Sequence, residues 1–376
     1  MKVAIVPSWY NSDRAPSRGN FVRDQALALA RRGLSVSLVV FDRDARGRPL
    51  QVRRSVEDGL PHVRIAVPSP WHRLLGFYAP GILAHRLQTV LQHEMPDVVH
   101  AHAVRSGGVV VDRWLSGRSV PWCLTEHSSP LRAFWWTSHG RRQIDRAYLN
   151  AARLFGVSNS LVDEMRQLFP IGAANATLLY NGIDTDLFTP GEGRPHAAAR
   201  LLFVGGLVPQ KGISDLLRAV ATLPRENGWT LSLIGAGPLE AALRNEAGAL
   251  GIADRLHWLG SVPHEAMPPI YAGHDLLVVS SRAETFSLVS AEALACGLPV
   301  VATRCGGPEE VIGPLGLPLV PPGDAEALAR AILEMLDRLP AFDREGAVRS
   351  IAERFSMSAL AARLEAIYSQ MVREPR

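Results

Sequence analysis

Two glutamates, Glu284 and Glu292, stand eight positions apart in the stretch SSRAETFSLVSAEALACGLPVV, residues 280–301. Leu276 to Val279, just ahead, reads as a strand. Thr285, Phe286 and Ser287 then fall at its exit, with Ser287 as the cap of a helix running to about Ala295 and Gly297 and Pro299 ending it. Glu284 precedes that helix and Glu292 lies more than a turn inside it. The N–H groups of Leu288 and Val289, which have no partner within a helix start, point into the space between the carboxylates. A ligand with hydroxyls at both ends and phosphate in the middle suits this spacing. One carboxylate accepts from a ribose diol, the other from sugar hydroxyls, and a pyrophosphate rests on the helix start. A nucleotide-sugar has that layout. Surface helices also carry spaced glutamates as solvated decoration, so the pair needs support from the rest of the chain.

Some support comes from residue choice. The chain has 40 Lys+Arg, and its lysines are Lys2 and Lys211 alone. Lys211 sits in FVGGLVPQKGISDLLRAV, in a loop just before a helix, where an ammonium can act as a point charge on phosphate. Near the amino end, PSWYNSDRAPSRGNFVRDQALALARRG carries Gly19 ahead of a helix from about Phe21 to Arg32, a place where backbone N–H groups can approach an anion. Gly235 and Gly237 follow another strand as a partial glycine fingerprint, which a tight strand-to-helix turn explains equally well.

These candidates need elements to hold them. At 376 residues, 47% hydrophobic and 20% charged, the chain has the composition of a globular protein of two domains. Short β-branched runs alternate with helical spacing from end to end, from Val3-Ala4-Ile5-Val6 to Val300-Val301-Ala302. Many are continuously apolar, as in parallel strands covered on both faces. The alternation predicts doubly wound α/β layers, whose ligands bind at the carboxyl ends of the strands. Periodicity breaks at residues 181–200, NGIDTDLFTPGEGRPHAAAR, which reads as a linker. Two Rossmann-like domains in series are expected, over 1–182 and 183–355. The tail, 356–376, would form a helix with Leu360, Leu364, Ile367, Tyr368 and Met371 on one side, packing back on the first domain.

Residues 1–182 hold 23 Lys+Arg against 13 Asp+Glu, and the remainder 17 against 23. A basic first half suggests an anionic partner, although arginine-rich composition has the same effect. The segment 68–93, PSPWHRLLGFYAPGILAHRLQTVLQH, mixes Trp71, Phe77 and Tyr78 with Arg73 and Arg86. It reads either as an acceptor groove or peripheral membrane contact, or as a core helix with emergent arginines. No apolar run reaches the roughly 18 residues of a spanning helix, and Met1 leads straight into a strand with no signal-peptide pattern. Three cysteines without metal-ligand spacing fit reduced thiols. A cytoplasmic protein, peripheral at most to the inner face of a membrane, is the expectation. Nothing calls for nucleic acid.

The ordered set of motifs resembles retaining glycosyltransferases of the GT-B fold, family 4 type. The segment Glu284 to Glu292 is similar to that family's E-x7-E motif. HAHAVRSGG, TEHSS, GVSNSL, NGIDTDLFTP, FVGGLVPQKG, IGAGP, LGSVP and ACGLPVVATRCGGPEEVI resemble its other landmarks in order, over nearly the whole chain. The resemblance implies two domains facing a central cleft and transfer of a sugar from a UDP- or GDP-sugar type donor, with retention and without a metal. It assigns the nucleotide ribose to Glu292, the transferred sugar to Glu284, and the diphosphate to Lys211 with the N–H groups of Leu288 and Val289, and it puts Gly206, Thr285, Phe286 and Ser287 in the donor-binding set with them. Gly19 would let the first-domain loop close over phosphate, Val262 would meet the base through its backbone, and His127 would stand beside the reacting sugar. For His127 a plain core or loop histidine stays open.

Two departures stand out. The family's usual arginine five residues before the lysine is Gly206 here, and its usual glycines around Phe286 are Thr285 and Ser287. Other readings remain: an epimerase or phosphorylase on the same scaffold, an idle sugar-nucleotide binder, or metal use through Asp42-Arg43-Asp44 or Asp184-Thr185-Asp186. The acceptor is unassigned, with a lipid-linked or anionic one favoured by the basic first half.

Overall fold

The computed structural model describes residues 1–374 apart from 12–18, 46–47, 69–70, 72–74, 76–78, 93, 129–130, 132–137 and 192–197. The chain forms two compact units, Met1–Gly182 with Met357–Arg376, and Ile183–Ser356. Among the described residues the first unit carries strands β1 (Lys2–Pro7), β2 (Ser35–Asp42), β3 (Val52–Glu57), β4 (Leu60–Ala66), β5 (Val98–His102), β6 (Trp122–Glu126), β7 (Arg153–Gly156) and β8 (Thr177–Leu178). They form one sheet in the order β3-β4-β2-β1-β5-β6-β7-β8. All neighbours run parallel except the β3–β4 pair. β5 and β6 are buried along their whole length, which is why their sequences are apolar without alternation.

The sequence reading omits β3. Its residues VRRSVE are largely exposed, and it reaches the sheet only as the outer arm of a hairpin. The turn is Asp58-Gly59, both at positive φ, a turn whose twist matches paired strands. That dipeptide was the available signal.

The second unit carries β9 (Arg200–Val204), β10 (Thr230–Ile234), β11 (Leu256–Gly260), β12 (Leu276–Val279), β13 (Val300–Thr303) and β14 (Leu319–Val320). Their order is β11-β10-β9-β12-β13-β14, parallel throughout. In both units the first strand lies inside the sheet. The chain winds outward one way, then returns to the other side of that strand. The strand order therefore reverses between β1 and β5, and again between β9 and β12. In open parallel sheets such a reversal is where adjoining helices part and ligands find room at the strand ends.

The helix Met357–Arg373 belongs to the first unit. Met357, Ala361, Leu364, Tyr368 and Met371 recur every three or four residues and join one core cluster with Val3, Ile5, Val22, Ala26 and Leu29. Leu360 and Ile367, expected on the buried side, are only partly covered. The Tyr368 hydroxyl lies 2.6 Å from His100 Nδ1, so a polar contact also ties this helix to β5.

Part of the expected linker is built into the second unit. Ile183 bridges to Ser356, Asp184 accepts from the N–H groups of Asp186 and Leu187, and Phe188 is buried. Asp184-Thr185-Asp186 is thus a turn, as is Asp42-Arg43-Asp44, where Asp42 accepts from Asp44 N–H. In the segment 68–93, the helix Pro80–Leu91 buries Leu83, Leu87 and Leu91, while Arg86 reaches the carbonyl of Leu50. That stretch is a core-facing helix with an emergent arginine. Trp71 is 44% exposed, and Arg73, Phe77 and Tyr78 lie outside the described residues. Among the described residues no helix is long and apolar enough to cross a membrane. All three cysteines are free thiols.

Burial holds the His100 pKa down at about 3. A histidine that is neutral when folded but titrates near 6.5 when unfolded adds stability that is complete above about pH 6.5. That stability is lost as the pH falls toward the folded value. A His100→Gln variant, less stable at neutral pH, should lose less on acidification than the parent protein. The gap should shrink by on the order of 2 kcal/mol between about pH 7.5 and about pH 5. Urea unfolding at both pH values measures this, and equal pH dependence in the two proteins would contradict it.

Candidate active site

The second unit's switch point brings together residues far apart in sequence. The chain leaves β9 through Gly205-Gly206 into a short turn, Pro209–Lys211, and leaves β12 through Ser280 to Ser287. These two loops interlock. Arg282 N–H donates to the Gln210 carbonyl at 2.8 Å, Gln210 Nε2 to the Ala283 carbonyl at 3.1 Å, and Ser280 Oγ to the Lys211 carbonyl at 2.9 Å. Lys211 Nζ then meets Glu284 Oε1 at 2.6 Å, and Ser281 Oγ donates to the same oxygen at 2.6 Å. The side chains of Lys211 and Glu284 keep 24% and 13% exposure, so the pair is within reach of solvent at these strand ends. Glu284 Oε2 has no partner among the described residues. Gly206 is exposed, and a Cβ there would meet nothing closer than 3.9 Å. Arg282, two residues from Glu284, does not fill the place of a cation at 206, because its guanidinium pairs with Asp215.

The helix Leu288–Ala295 begins as expected, but Ser287 does not cap it through its side chain. Ser287 holds φ 72, a left-handed conformation that turns its hydroxyl away from the helix N–H groups. The hydroxyl instead meets Ser290 Oγ at 2.7 Å. The N–H groups of Leu288 and Val289 have no partner among the described residues, and both residues are half-buried. Glu292 lies inside the helix and is 7% exposed. Its Oε2 accepts from Tyr271 OH at 2.8 Å and its Oε1 lies 3.1 Å from His264 Nε2. Burial and the Glu292 carboxylate raise the Tyr271 pKa well above 10, which keeps that phenol a donor. Phe188 packs edge-on against His264 and also touches Tyr271. Val262 lies two residues before His264, half-buried in the loop after β11.

Tyr271, His264 and Phe188 escape the sequence reading. Tyr271 and His264 have no sequence neighbour in the glutamate motif, and Phe188 lies in the stretch taken as linker. Phe286 is placed differently from its expected donor-side role. Its ring is 1% exposed and packs edge-on against Phe355, which leaves only its backbone near the site. Thr285, beside Glu284, is half-buried.

A backbone clamp sets the Glu284 loop. Glu284 N–H donates to the Cys305 carbonyl at 3.0 Å, and Gly307 N–H donates to the Glu284 carbonyl at 2.8 Å. Gly307 passes so close that a Cβ there would lie 2.4 Å from the N, Cα and C atoms of Phe286. Gly307 of RCGGPEE therefore serves close approach of two backbones, and Gly306 before it holds φ 112.

In the first unit, Gly19 holds φ 77 and precedes the helix Asn20–Arg31, and Phe21 of that helix lies 4.5 Å, ring to ring, from His127. The loop 12–18 before it is outside the described residues. His127 follows β6 and is 9% exposed. Its Nε2 lies 2.9 Å from Nδ1 of His102, the last residue of β5. Burial depresses the His127 pKa to about 3. Glu126 braces this corner. Its Oε1 accepts from the N–H groups of His127 and Ser128, and its Oε2 from Val104 N–H and Tyr148 OH. Gly19 and His127 thus share one end of the first sheet. Gly206, Lys211, Val262, Glu284, Thr285, Ser287, Leu288 and Val289 sit at strand ends and a helix start of the second, with Glu292 a turn further into that helix.

Two doubly wound parallel units in series, each with its polar residues at a switch point, define a protein of the GT-B class. Residues 19–187 match the family described as Glycosyltransferase Family 4, and residues 198–338 the family described as Glycosyl transferases group 1. The chain is 30% identical to the D-inositol 3-phosphate glycosyltransferase of Mycobacteroides abscessus, over 95% of this chain and 85% of that protein. Its fold is similar to that of sucrose-phosphate synthase from Thermosynechococcus elongatus, with TM-score 0.81, 22% identity and 99% of both chains covered. It is also similar to that of Anabaena HepE in complex with UDP, with TM-score 0.76, 20% identity and coverage of 98% of this chain and 100% of that one. This chain belongs to glycosyltransferase family 4 and is a glycosyltransferase.

Two glycine substitutions separate a structural requirement from open space. Gly307→Ala should cost about 1–3 kcal/mol, because the methyl group has only backbone to displace. Gly206→Ala should stay within about 0.5 kcal/mol of the parent, having room. Chemical denaturation of both variants checks this, and equal stabilities would contradict the clamp.

Proposed function

We propose that this enzyme transfers a sugar from a nucleoside-diphosphate-sugar, of the UDP- or GDP-sugar kind, to an acceptor hydroxyl with retention of anomeric configuration. One observation carries the reading: a lysine–glutamate pair, an open helix start and a second, buried glutamate lie in succession at one switch point. Glu292, held by Tyr271 and His264, suits a ribose diol. Glu284 Oε2 suits a hydroxyl of the transferred sugar. Lys211 and the N–H groups of Leu288 and Val289 suit the diphosphate, whose negative charge grows as the glycosidic bond breaks. The UDP bound by HepE supports this choice of ligand. With Lys211 and a helix start supplying the positive charge, transfer proceeds without a divalent metal. Gly19 and His127 serve phosphate and sugar, as the family resemblance implies.

The acceptor is lipid-linked or anionic, in keeping with 23 Lys+Arg against 13 Asp+Glu over residues 1–182. Such an acceptor fits a cytoplasmic enzyme that touches the inner face of a membrane.

The test is a thermal-shift comparison of UDP-glucose, GDP-mannose, UDP and GDP, with and without excess chelator, followed by product analysis of the best donor. At least one donor should stabilise the protein, chelator should leave transfer intact, and the product should keep the donor's anomeric configuration. Glu284→Gln should lower kcat by about a hundredfold. Glu292→Gln should weaken nucleotide binding by about tenfold to a hundredfold. A donor converted to an isomer, or split by phosphate without an acceptor, would point to an epimerase or a phosphorylase. Loss of transfer in chelator would sink the metal-free mechanism.

A further inference from the structure

Three histidines at the carboxyl ends of β5 and β6 form a directed chain. His100 stacks on His102 at 4.2 Å between ring centres, and His102 on His127 at 5.1 Å. The chain starts at the last helix, where the Tyr368 hydroxyl lies 2.6 Å from His100 Nδ1. A contact that short joins the acidic proton of a phenol to the basic nitrogen of an imidazole, so Nδ1 accepts. The Gln25 amide nitrogen lies 3.4 Å from the same Nδ1 and 3.4 Å from His102 Nε2. The one lone pair of His100 Nδ1 is taken by Tyr368, and an amide nitrogen only donates, so the Gln25 NH2 bonds His102 Nε2. His102 Nε2 therefore also accepts, and a neutral imidazole that accepts there carries its proton on Nδ1. His102 Nδ1 lies 2.9 Å from His127 Nε2 and donates to it. The proton of His127 is left on Nδ1. That nitrogen is buried and has no hydrogen-bond partner among the described residues. His100 Nε2, 2.8 Å from Thr125 Oγ1, holds the remaining proton of the stack and donates it there.

We propose that Gln25 and His102 are positioning residues that lock His127 as a neutral imidazole with its proton on Nδ1, so that His127 serves transfer as a hydrogen-bond donor to a substrate hydroxyl and not as a base. The use of His127 rests on the function proposed above; the direction of the chain does not. Burial depresses all three histidines well below the ordinary value, in line with a neutral stack. The surrounding backbone is set for the task. Ala103, next to His102, holds φ 60, an uncommon conformation for a residue with a side chain. Its carbonyl accepts from Ser8 Oγ at 2.8 Å. Glu126 fixes the backbone of His127 from the other side. An unpaired buried donor is costly, and a ligand oxygen placed against it removes that cost only when the ligand is bound.

The chain is readable directly. Long-range nitrogen–proton correlation spectra of the full-length protein labelled with 15N-histidine report which ring nitrogen carries the proton, with no ligand needed. Expected are the Nδ1–H form for His127 and His102 and the Nε2–H form for His100. In Gln25→Leu, His127 should show both forms. A proton on Nε2 of His127 in the parent protein, or no change in Gln25→Leu, overturns the relay. The use of the donor is tested with side chains that mimic one ring nitrogen each. An Asn amide nitrogen overlays Nδ1 and a Gln amide nitrogen overlays Nε2. His127→Asn should retain about a hundredfold more kcat/KM than His127→Gln in donor hydrolysis of UDP-glucose or GDP-mannose, whichever stabilises the protein. Circular dichroism confirms that both variants fold. Equal rates in the two variants with the Nδ1–H form established would leave the relay standing and overturn the role of His127 in the reaction.

Discussion

The contact between Lys211 and Glu284 joins residues 73 positions apart, and it exists only because β9 and β12 are neighbours. A partly exposed ion pair contributes little to stability by itself. Its importance here is positional. The two loops that carry it are already tied by Arg282 N–H, Gln210 and Ser280. The ammonium and the carboxylate are thus held at contact distance by backbone. Hydrogen bonds to Oε1 from Lys211 and Ser281 leave the other oxygen of Glu284 without a partner among the described residues. For the transfer proposed above, a cation and a hydrogen-bond acceptor held in this way would need no reorganisation during the reaction, which keeps the barrier low.

The second glutamate solves a different problem. Glu292 is nearly buried, and a buried carboxylate needs donors on both oxygens. Tyr271 and His264 supply them, and Phe188 packs against both donors. One glutamate is therefore held on both oxygens with a further lone pair left on each, the other on one oxygen only. The helix between them begins at Ser287 in a left-handed conformation that glycine adopts more readily. The Ser287–Ser290 hydroxyl contact offsets part of that strain.

The first unit repeats the topology with different chemistry. Its switch point carries neutral, stacked histidines where the second unit carries a charge pair. Burial pushes the Glu126 pKa up. Its role is to hold loops: its donors are the N–H groups of Val104, His127 and Ser128, the Ser128 hydroxyl and the buried phenol of Tyr148, all of its own unit. The last helix closes the core beneath, with Tyr368 reaching His100. One doubly wound frame thus carries a charge pair and an open helix start at one unit's switch point and stacked histidines at the other's.

Local chemistry was legible in the amino-acid order. Apolar runs such as Val98-Val99 and Leu276 to Val279 announced buried parallel strands, because strands covered on both faces cannot alternate. The helix from Leu288 to Ala295, with Glu284 before it and Glu292 inside, followed from its own stop signals, Gly297 and Pro299. Partners chosen by strand order were not legible. Nothing near Glu292 in sequence points to Tyr271 or Phe188, and nothing in HAHAVRSGG or TEHSS indicates that His102 would meet His127. Phe286 looked like a site residue because of its neighbours, yet packing against Phe355 took its ring into the core. Ser287 looked like a cap, yet its φ took the hydroxyl elsewhere. Sequence alone determined which residues could do chemistry and on which kind of element each would stand, since propensity and burial act over a few neighbours. Tertiary structure decided which of them meet and which way each hydrogen bond runs, since those depend on which strands pair and on atoms brought together from distant parts of the chain.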